Sequence, residues 1–250
     1  MTKHFLVSFG ACVALTTAYS QDCANFLFLQ KDKTIEITVY DKKGEPNGRQ
    51  VYQVGNVATA SGTTTGTISS ELFDKKGSSK AKASSTVQCN GGEMRLDMKL
   101  MLPPQENQQF GMSAEVNSQN NYLSYPNNMK VGDQLPDGNL SIDLSHNGPP
   151  APGGAPPAGG PPPGGPPPPP GLGKSLTMLI SNRKVEGQES VTTTAGTWNC
   201  FRISYKSKLT VKTGPFGFPV NVDGVEWYAP GFGIVKSQSK YGGTAITAIK

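Results

Sequence analysis

Apolar and polar residues alternate along most of the chain, and turn-forming residues interrupt the alternation at short intervals. Residues 34–40 read TIEITVY and end at the turn sequence of residues 41–44, and residues 49–54 alternate again. Residues 63–73 are rich in threonine and serine and end at a second turn, over residues 74–77. Alternation with a period of two between such turns is typical of half-buried antiparallel strands. The pattern therefore predicts a β-rich protein.

The strongest hairpin signal lies in this first run of strands. Residues 82–88 lead into Cys89-Asn90-Gly91-Gly92, a turn sequence that favours a tight hairpin. The next segment, 93–101, carries apolar residues at alternate positions, namely Met94, Leu96, Met98 and Leu100. A helix would space its apolar residues three or four positions apart. We therefore predict a single strand over residues 93–101 with a methionine-rich face.

The rest of the chain repeats this arrangement. Residues 121–137 read as a long connection with two proline-containing turns. Residues 176–180 and 190–194 predict a hairpin around Glu186-Gly187, which would pair Lys184 with Glu189 across the strands. Further strands are predicted over residues 110–117, 138–144, 197–212, 220–228, 233–240 and 244–249.

Residues 148–173 differ from everything around them. Thirteen of the protein's 21 prolines fall in this segment, mixed with glycine and alanine and without charge. Such a composition cannot bury apolar area and favours an extended polyproline conformation. We interpret it as a disordered insert, a spacer or an expanded surface loop, and the alternative is a recognition sequence for a proline-binding module.

The pattern as a whole indicates an all-β fold. We count roughly ten to twelve strands and no convincing amphipathic helix, which favours a sandwich, a barrel or a curved sheet. Each flank of the insert alone would have an open edge. Residues 21–147 and 174–250 are therefore predicted to be two parts of one β domain.

The N-terminus predicts export. Lys3 precedes an apolar run over residues 5–14, and Ala18-Tyr19-Ser20 has the small-x-small pattern of a cleavage site. We interpret residues 1–20 as a cleavable signal peptide rather than a membrane anchor, since the run is well below the ~20 residues that span a bilayer. Lipidation at Cys12 is the alternative. No later stretch is apolar enough to be a transmembrane segment.

Charge and cysteine content narrow the chemistry. The formal net charge of +5 is spread along the chain without a basic stripe, which argues against nucleic acid as a partner. After cleavage three cysteines remain, Cys23, Cys89 and Cys200, so one disulfide and one free thiol are expected. Three pairings are possible, and Cys23–Cys89 is favoured because both flank the first strands. We expect no metal site and no cofactor, because His146 is the only mature histidine.

Several strings resemble the TapB-like family of exported Bacteroidetes proteins of unknown function. They cover most of the mature chain in order: residues 89–92 with 96–98, 123–126 (LSYP), 131–133 with 135–136, 181–190 (SNRKVEGQES), 195–200 (AGTWNC) and 226–236 (EWYAPGFGIVK). The resemblance implies a twisted antiparallel half-barrel, similar to lipoprotein-carrier folds whose concave face holds acyl chains. It implies no established enzymatic activity.

Catalytic motifs find little support in the sequence. Ser181-x-x-Lys184 with Lys212-Thr-Gly214 imitates part of a β-lactamase signature, but the intervening element is missing. Gly173-Lys-Ser175 lacks the first glycine of a phosphate-binding loop. Carboxylates that could still converge are Glu93, Asp97, Asp143 and Glu226.

Three functional hypotheses follow. The first is a non-enzymatic binding or carrier module of the periplasm or cell surface, for an apolar ligand or an envelope protein, with Met94, Met98, Tyr205 and Tyr228 as candidate ligand-binding residues. Trp198 and Trp227 are interpreted as packing residues. The second is a structural component of an envelope or secretion assembly, and the third is a carbohydrate-active enzyme.

Overall fold

The structure is a computed structural model that describes residues 23–101, 112–116, 121–146, 174–213 and 216–250. The predicted signal peptide and the proline/glycine-rich insert lie outside these residues. Within the described part of the chain, no α-helix is present, and three 3₁₀ turns cover Cys23–Asn25, Leu27–Leu29 and Met98–Met101.

Fourteen strands of the described residues form one antiparallel sheet that curves into a nearly closed, barrel-like shape, which confirms the predicted all-β class. In chain order the strands are β1 Thr34–Asp41, β2 Pro46–Ala60, β3 Thr63–Asp74, β4 Ser79–Asn90, β5 Glu93–Asp97, β6 Met112–Val116, β7 Tyr122–Tyr125, β8 Gln134–Leu135, β9 Gly138–His146, β10 Lys174–Thr193, β11 Gly196–Thr213, β12 Phe216–Ala229, β13 Gly233–Ser239 and β14 Gly242–Ile249. The path of neighbouring strands is β6-β9-β10-β11-β12-β13-β14-β1-β2-β3-β4-β5-β7, and β8 pairs with β10. Strands from both flanks of the insert therefore share one sheet.

Two of the predicted turns are built by the same local hydrogen bonds. The Oδ1 atoms of Asp41 and Asp74 each accept the backbone N–H groups two and four residues further along the chain, at 2.8 to 3.0 Å. Gly44 and Gly77 then adopt φ angles of +82° and +81°, a conformation that glycine adopts without steric strain because it has no Cβ atom. Each turn therefore follows from an Asp and a Gly at fixed spacing.

A short apolar segment before the first strand fills the concave side of the sheet. Residues 26–29 are buried, and the Phe28 ring meets the Tyr52 ring edge-on at 5.5 Å. A side chain at Gly66 would come within 2.8 Å of the Phe28 carbonyl oxygen, so β3 needs glycine at this contact. The main core continues from this segment across strands on both sides of the insert.

The two end regions of the sheet approach each other where β9 begins. An added Cβ at Gly138 would come within 2.5 Å of Leu123 in β7 and 2.7 Å of the Met98 sulfur. The absence of a side chain at this position lets β9 pack directly against β7, so the curved sheet comes close to closing on itself.

A disulfide joins the N-terminal segment to the sheet. Cys23 and Cys89 are bonded, with their Cα atoms 5.7 Å apart, which is the pairing favoured above. Cys200 is a buried free thiol whose pKa burial raises to about 11. It belongs to a small second apolar cluster with Val191, Ala229 and Val235.

The predicted hairpin around Glu186-Gly187 is wrong. Residues 174–193 form one long strand, and the hairpin turn comes at residues 194–195. Gly187 instead follows a bulge and pairs with Arg202, because a glycine inside a strand can mark a bulge as well as a turn. The predicted Lys184–Glu189 pair is consequently also wrong, since Lys184 contacts Glu186 at 3.4 Å.

Two further boundaries differ from the prediction. The strand predicted over residues 93–101 ends at Asp97, whose Oδ1 accepts the Lys99 N–H at 2.9 Å and turns the chain into a 3₁₀ segment. The connection predicted over residues 121–137 contains β7 and β8. These strands have only four and two residues, and β7 forms by pairing with β5, a contact that local sequence does not reveal.

Candidate functional site

A buried ion pair lies inside the curved sheet. The Arg183 side chain is fully buried and its Nη2 donates to Glu226 Oε1 at 3.3 Å, while Glu226 is 2% exposed. The Tyr125 hydroxyl lies 3.1 Å from both carboxylate oxygens. Tyr125, Arg183 and Glu226, with Tyr228, are called the polar cluster below.

The polar cluster brings together strands that are far apart in the sequence. Tyr125 ends β7, Arg183 lies in β10, and Glu226 lies in β12. The register of β10 shifts between Ser181 and Lys184, and Asn182 adopts a φ angle of +53° there. This shift interrupts the alternation of side chains at the point where Arg183 turns inwards. A bulge redirects a side chain in this way. It therefore allows one arginine of an otherwise ordinary strand to reach the interior.

Arg183 also holds two backbone segments. Its Nη1 donates to the Ser124 carbonyl at 3.0 Å and to the Pro136 carbonyl at 3.1 Å, and its guanidinium lies 4.6 Å from the centre of the Tyr125 ring. Its Nε is buried without a hydrogen-bond partner among the described residues. Arg183 therefore connects β10 to β7 and to the chain segment just after β8.

Burial shifts the ionisation of this cluster. Removal from water raises the pKa of Glu226, and the neighbouring Arg183 and the Tyr125 hydroxyl act in the opposite direction. Burial likewise raises the pKa of Tyr125 well above its usual value. The Tyr125 and Tyr228 rings stack with their centres 4.5 Å apart, and burial raises the pKa of Tyr228 as well. Both tyrosines are therefore neutral hydroxyls that can donate a hydrogen bond.

A cavity of about 240 Å³ borders this cluster. We group its lining residues by chemistry and call the two groups the apolar wall and the polar wall. The apolar wall consists of Phe28, Ile37, Tyr52, Met94, Leu96, Leu100, Met101, Ile234 and Val235. The polar wall consists of Gln50, Tyr205, Glu226, Lys236, Ser237 and Thr244. The division suits a molecule with one apolar part and one polar part.

Gln50 is the unusual member of the polar wall. Its side-chain amide nitrogen is buried and lacks a hydrogen-bond partner within the described part of the chain. By contrast, the Ser237 and Thr244 hydroxyls bond to each other at 2.8 Å. Native proteins rarely leave a buried donor unpaired, so the Gln50 amide is available to a guest in the cavity.

The four predicted ligand-binding residues have different positions. Met94 and Tyr205 line the cavity, and burial raises the pKa of Tyr205 to about 12. Tyr228 is buried in the polar cluster, and Met98 is buried in the core near Gly138. The structure thus brings Met94 and Tyr205 together at one cavity and leaves Met98 outside its lining.

The candidate carboxylates do not share a site in the described contacts. Asp97 is buried and pairs with Lys99 at 3.3 Å, whereas Glu226 pairs with Arg183. Glu93 opens β5 after the turn, and the side chain of Asp143 lies outside the described part. No group of three or more His, Cys, Asp or Glu residues that could hold a metal ion occurs among the described residues.

Residues 30–149 and 173–244 match the DUF3108-like family. The chain belongs to the DUF3108-like family. The match spans most of the chain and leaves out most of the proline/glycine-rich insert. A search of curated proteins finds no match, so the family assignment brings no curated activity with it.

Two solved structures share the fold of this DUF3108-like chain. One is a Bacteroides fragilis protein described as exported, with a YmcC-like fold, at a TM-score of 0.63 and 18% identity. The other is a Parabacteroides distasonis protein described as a lipoprotein, at a TM-score of 0.64 and 20% identity. Each comparison covers 90% of this chain and 98% of the other. No helix among the described residues is long and apolar enough to cross a membrane.

Sequence reasoning missed Tyr125, Arg183 and Gln50 as site residues. A single arginine on a strand is usually exposed, and Gln50 sits in an alternating strand like any solvent-facing residue. Tyr125 and Arg183 did carry one signal. Like Glu226, each lies in a string on which the family resemblance rests, at residues 123–126, 181–190 and 226–236. Three separate strings therefore meet at one buried cluster.

Proposed function

We propose that the protein is an exported binding module that holds a small, partly apolar molecule in the interior cavity. The observation that carries this proposal is the cavity itself, whose lining combines a methionine-containing apolar wall with a polar wall. Methionine adapts to irregular ligands. The structural neighbours described as exported protein and lipoprotein support a function outside the cytoplasm.

We assign the cavity no catalytic step. Both oxygens of Glu226 accept from the Tyr125 hydroxyl, and one also accepts from Arg183. A carboxylate held in this way is poorly placed to take a proton from a substrate. The carbohydrate-active alternative needs a second carboxylate beside Glu226, and the described contacts supply none.

We also propose the TapB-like group as the chain's place within its family, and the periplasm or the cell surface as its location. The strings at residues 123–126, 181–190 and 226–236 support the first proposal. The signal-peptide pattern of residues 1–20 supports the second.

Filling the cavity tests the binding proposal. Ile37 lines the cavity from β1, so Ile37→Trp should occupy space that a ligand needs. Leu179→Trp is the matched control, because Leu179 is 37% exposed and does not line the cavity. Native mass spectrometry of protein purified without detergent should find bound molecules on the wild type and the control but not on Ile37→Trp. Equal occupancy in all three would overturn the proposal.

A second candidate function, a component of an envelope assembly, is favoured by an exposed apolar surface. Val211, Phe216, Phe218 and Val220 lie on adjoining ends of β11 and β12, and Phe216 and Phe218 are 68% and 64% exposed. Large exposed apolar surfaces mark interaction sites. The double variant Phe216→Ser/Phe218→Ser should lose a partner in pull-downs from the native envelope while keeping the cavity ligand. An unchanged pull-down would discard this candidate.

A further inference from the structure

We infer that the cavity selects a neutral, single-chain amphiphile whose polar end both donates and accepts a hydrogen bond, such as an amide, and that it discriminates against a carboxylate. This inference rests on the proposed binding function and specifies its ligand class. It follows from what each atom of the polar wall can and cannot satisfy.

The Gln50 amide nitrogen requires an acceptor. It is a donor only, it is buried, and no group in the described part of the chain accepts from it. An unpaired buried donor lowers stability, and a ligand oxygen in the cavity would remove that cost. A plain hydrocarbon cannot meet this requirement.

Glu226, in contrast, requires a hydrogen-bond donor from the ligand. It lines the cavity, and its carboxylate is the acceptor of the buried ion pair, while Arg183 is not among the lining residues. The negative end of the pair therefore borders the cavity. The lining contains one further charged residue, Lys236, whose Nζ lies 4.8 Å from the centre of the ring of Trp227, a residue outside the lining. A ligand N–H or O–H can donate to it, whereas a second carboxylate would meet a like charge in a poorly solvated site, where repulsion is strong.

The rest of the lining limits the apolar part of the ligand. The cavity volume of about 240 Å³ corresponds to roughly eight or more water-sized groups at ~30 Å³ each. The nine residues of the apolar wall carry no charge. A single short alkyl chain fits this volume, and a second charged or bulky group does not.

A series of eight-carbon compounds tests the inference: octanamide, octanoate, octane and octyltrimethylammonium. Titrations use the full chain with ¹³C-methyl methionine, and the Met94 and Met101 methyl signals report on the cavity because both residues line it. Octanamide should bind at least roughly tenfold more tightly than octane, which lacks the hydrogen bonds, and than octanoate, which meets a like charge. It should also bind more tightly than octyltrimethylammonium, because a quaternary ammonium offers neither an acceptor for Gln50 nor a donor for Glu226.

Two variants separate the donor from the acceptor. Gln50→Leu should abolish the preference for octanamide over octane, and Gln53→Leu, at an exposed position of the same strand, should keep it. Glu226→Gln should raise the affinity for octanoate severalfold, with circular dichroism as the check that the variant is folded.

The outcomes distinguish this inference from the proposal beneath it. If no compound moves the Met94 or Met101 signals, the binding function itself fails. If octanoate binds as tightly as octanamide, or Gln50→Leu keeps the wild-type preference, the binding function stands and the selectivity is overturned.

Discussion

The two walls of the cavity show opposite ways of using a β-sheet interior. The apolar wall, formed in part by β5 and the 3₁₀ turn after it, buries Met94 completely and lies beside the Cys23–Cys89 disulfide, since Cys89 pairs with Met94. The polar wall, formed in part by β11 to β14, holds Glu226 next to a buried arginine and includes the unpaired amide of Gln50. One side follows ordinary core packing, and the other departs from it.

The polar wall is informative because its buried ion pair and unpaired amide lower the stability of the fold. A buried ion pair seldom stabilises a protein more than well-packed apolar residues would, and an unpaired donor destabilises it. Proteins keep such groups where a function depends on them. The polar wall is therefore the side on which binding specificity should reside, and the apolar wall is the side that keeps the fold together.

The largest effect should come from breaking the ion pair. Arg183→Ala leaves Glu226 buried without its charged partner and removes the bonds to the Ser124 and Pro136 carbonyls. We expect a loss of roughly 3–5 kcal/mol in unfolding free energy, measured by chemical denaturation. Arg202→Ala, at an exposed arginine of β11, is the control and should change little. A loss no larger than that of the control would contradict the central place given to Arg183.

Replacing both partners sharpens the same comparison. The double variant Arg183→Met/Glu226→Leu replaces the buried ion pair beside the cavity with apolar side chains. Its unfolding free energy should equal that of the wild type or exceed it by about 1–4 kcal/mol. It should also lose the selectivity for octanamide. A double variant as unstable as Arg183→Ala would mean that the pair serves the fold itself.

The disulfide beside the apolar wall should have the next largest effect. Cys23 and Cys89 are separated by 66 residues, and closing a loop of this size stabilises a protein by roughly 2–4 kcal/mol. Cys23→Ala/Cys89→Ala should lose that amount in thermal or chemical unfolding. Wild-type protein in reductant should match the variant, and a variant as stable as the oxidised wild type would contradict the prediction.

A smaller change of opposite sign is expected at Gln50. Gln50→Leu removes the unpaired donor from the polar wall, so the ligand-free protein should gain about 1 kcal/mol in stability. Gln53→Leu, exposed on the same strand, should stay within about 0.5 kcal/mol of the wild type. Destabilisation by Gln50→Leu would show that the amide has a partner that keeps the fold intact.

The smallest effect should be a dependence on pH. Burial raises the pKa of Glu226 in the folded state above its unfolded value of about 4.3. The protonated form therefore favours folding, and this contribution is present below about pH 4 and is lost as the pH rises through the folded pKa. Denaturation across this range should show the wild type losing stability relative to Glu226→Gln as the pH rises. A constant difference between the two proteins would contradict it.

Local patterns were sufficient for much of the fold. Alternating residues between Asp/Gly turns predicted the β1–β4 strands, and Cys89-Asn90-Gly91-Gly92 predicted the β4–β5 hairpin. Local patterns failed where one signal has two structural meanings. Gly187 marks a bulge rather than a hairpin tip, and Asp97 ends a strand that the alternation of Met98 and Leu100 would have continued.

The candidate site could be predicted only in part, because its buried charged residues depend on partners that are distant in the sequence. Met94 was predicted because its strand has an apolar face, and Tyr205 because aromatic residues commonly line concave sites; both residues line the cavity. Arg183 and Tyr125 could not be found, because a charge is buried only when its partner is present. That partner, Glu226, is 43 residues away from Arg183 and 101 residues away from Tyr125.

The amino-acid sequence alone determined the β class, the Asp/Gly turns and the families of chemistry to consider, since these depend on the alternation and spacing of neighbouring residues. The tertiary structure alone decided which side chains face the cavity and which charges are buried together. The physical reason is that β pairing and bulges between distant segments set the direction of each side chain, and a one-residue shift moves it to the opposite face.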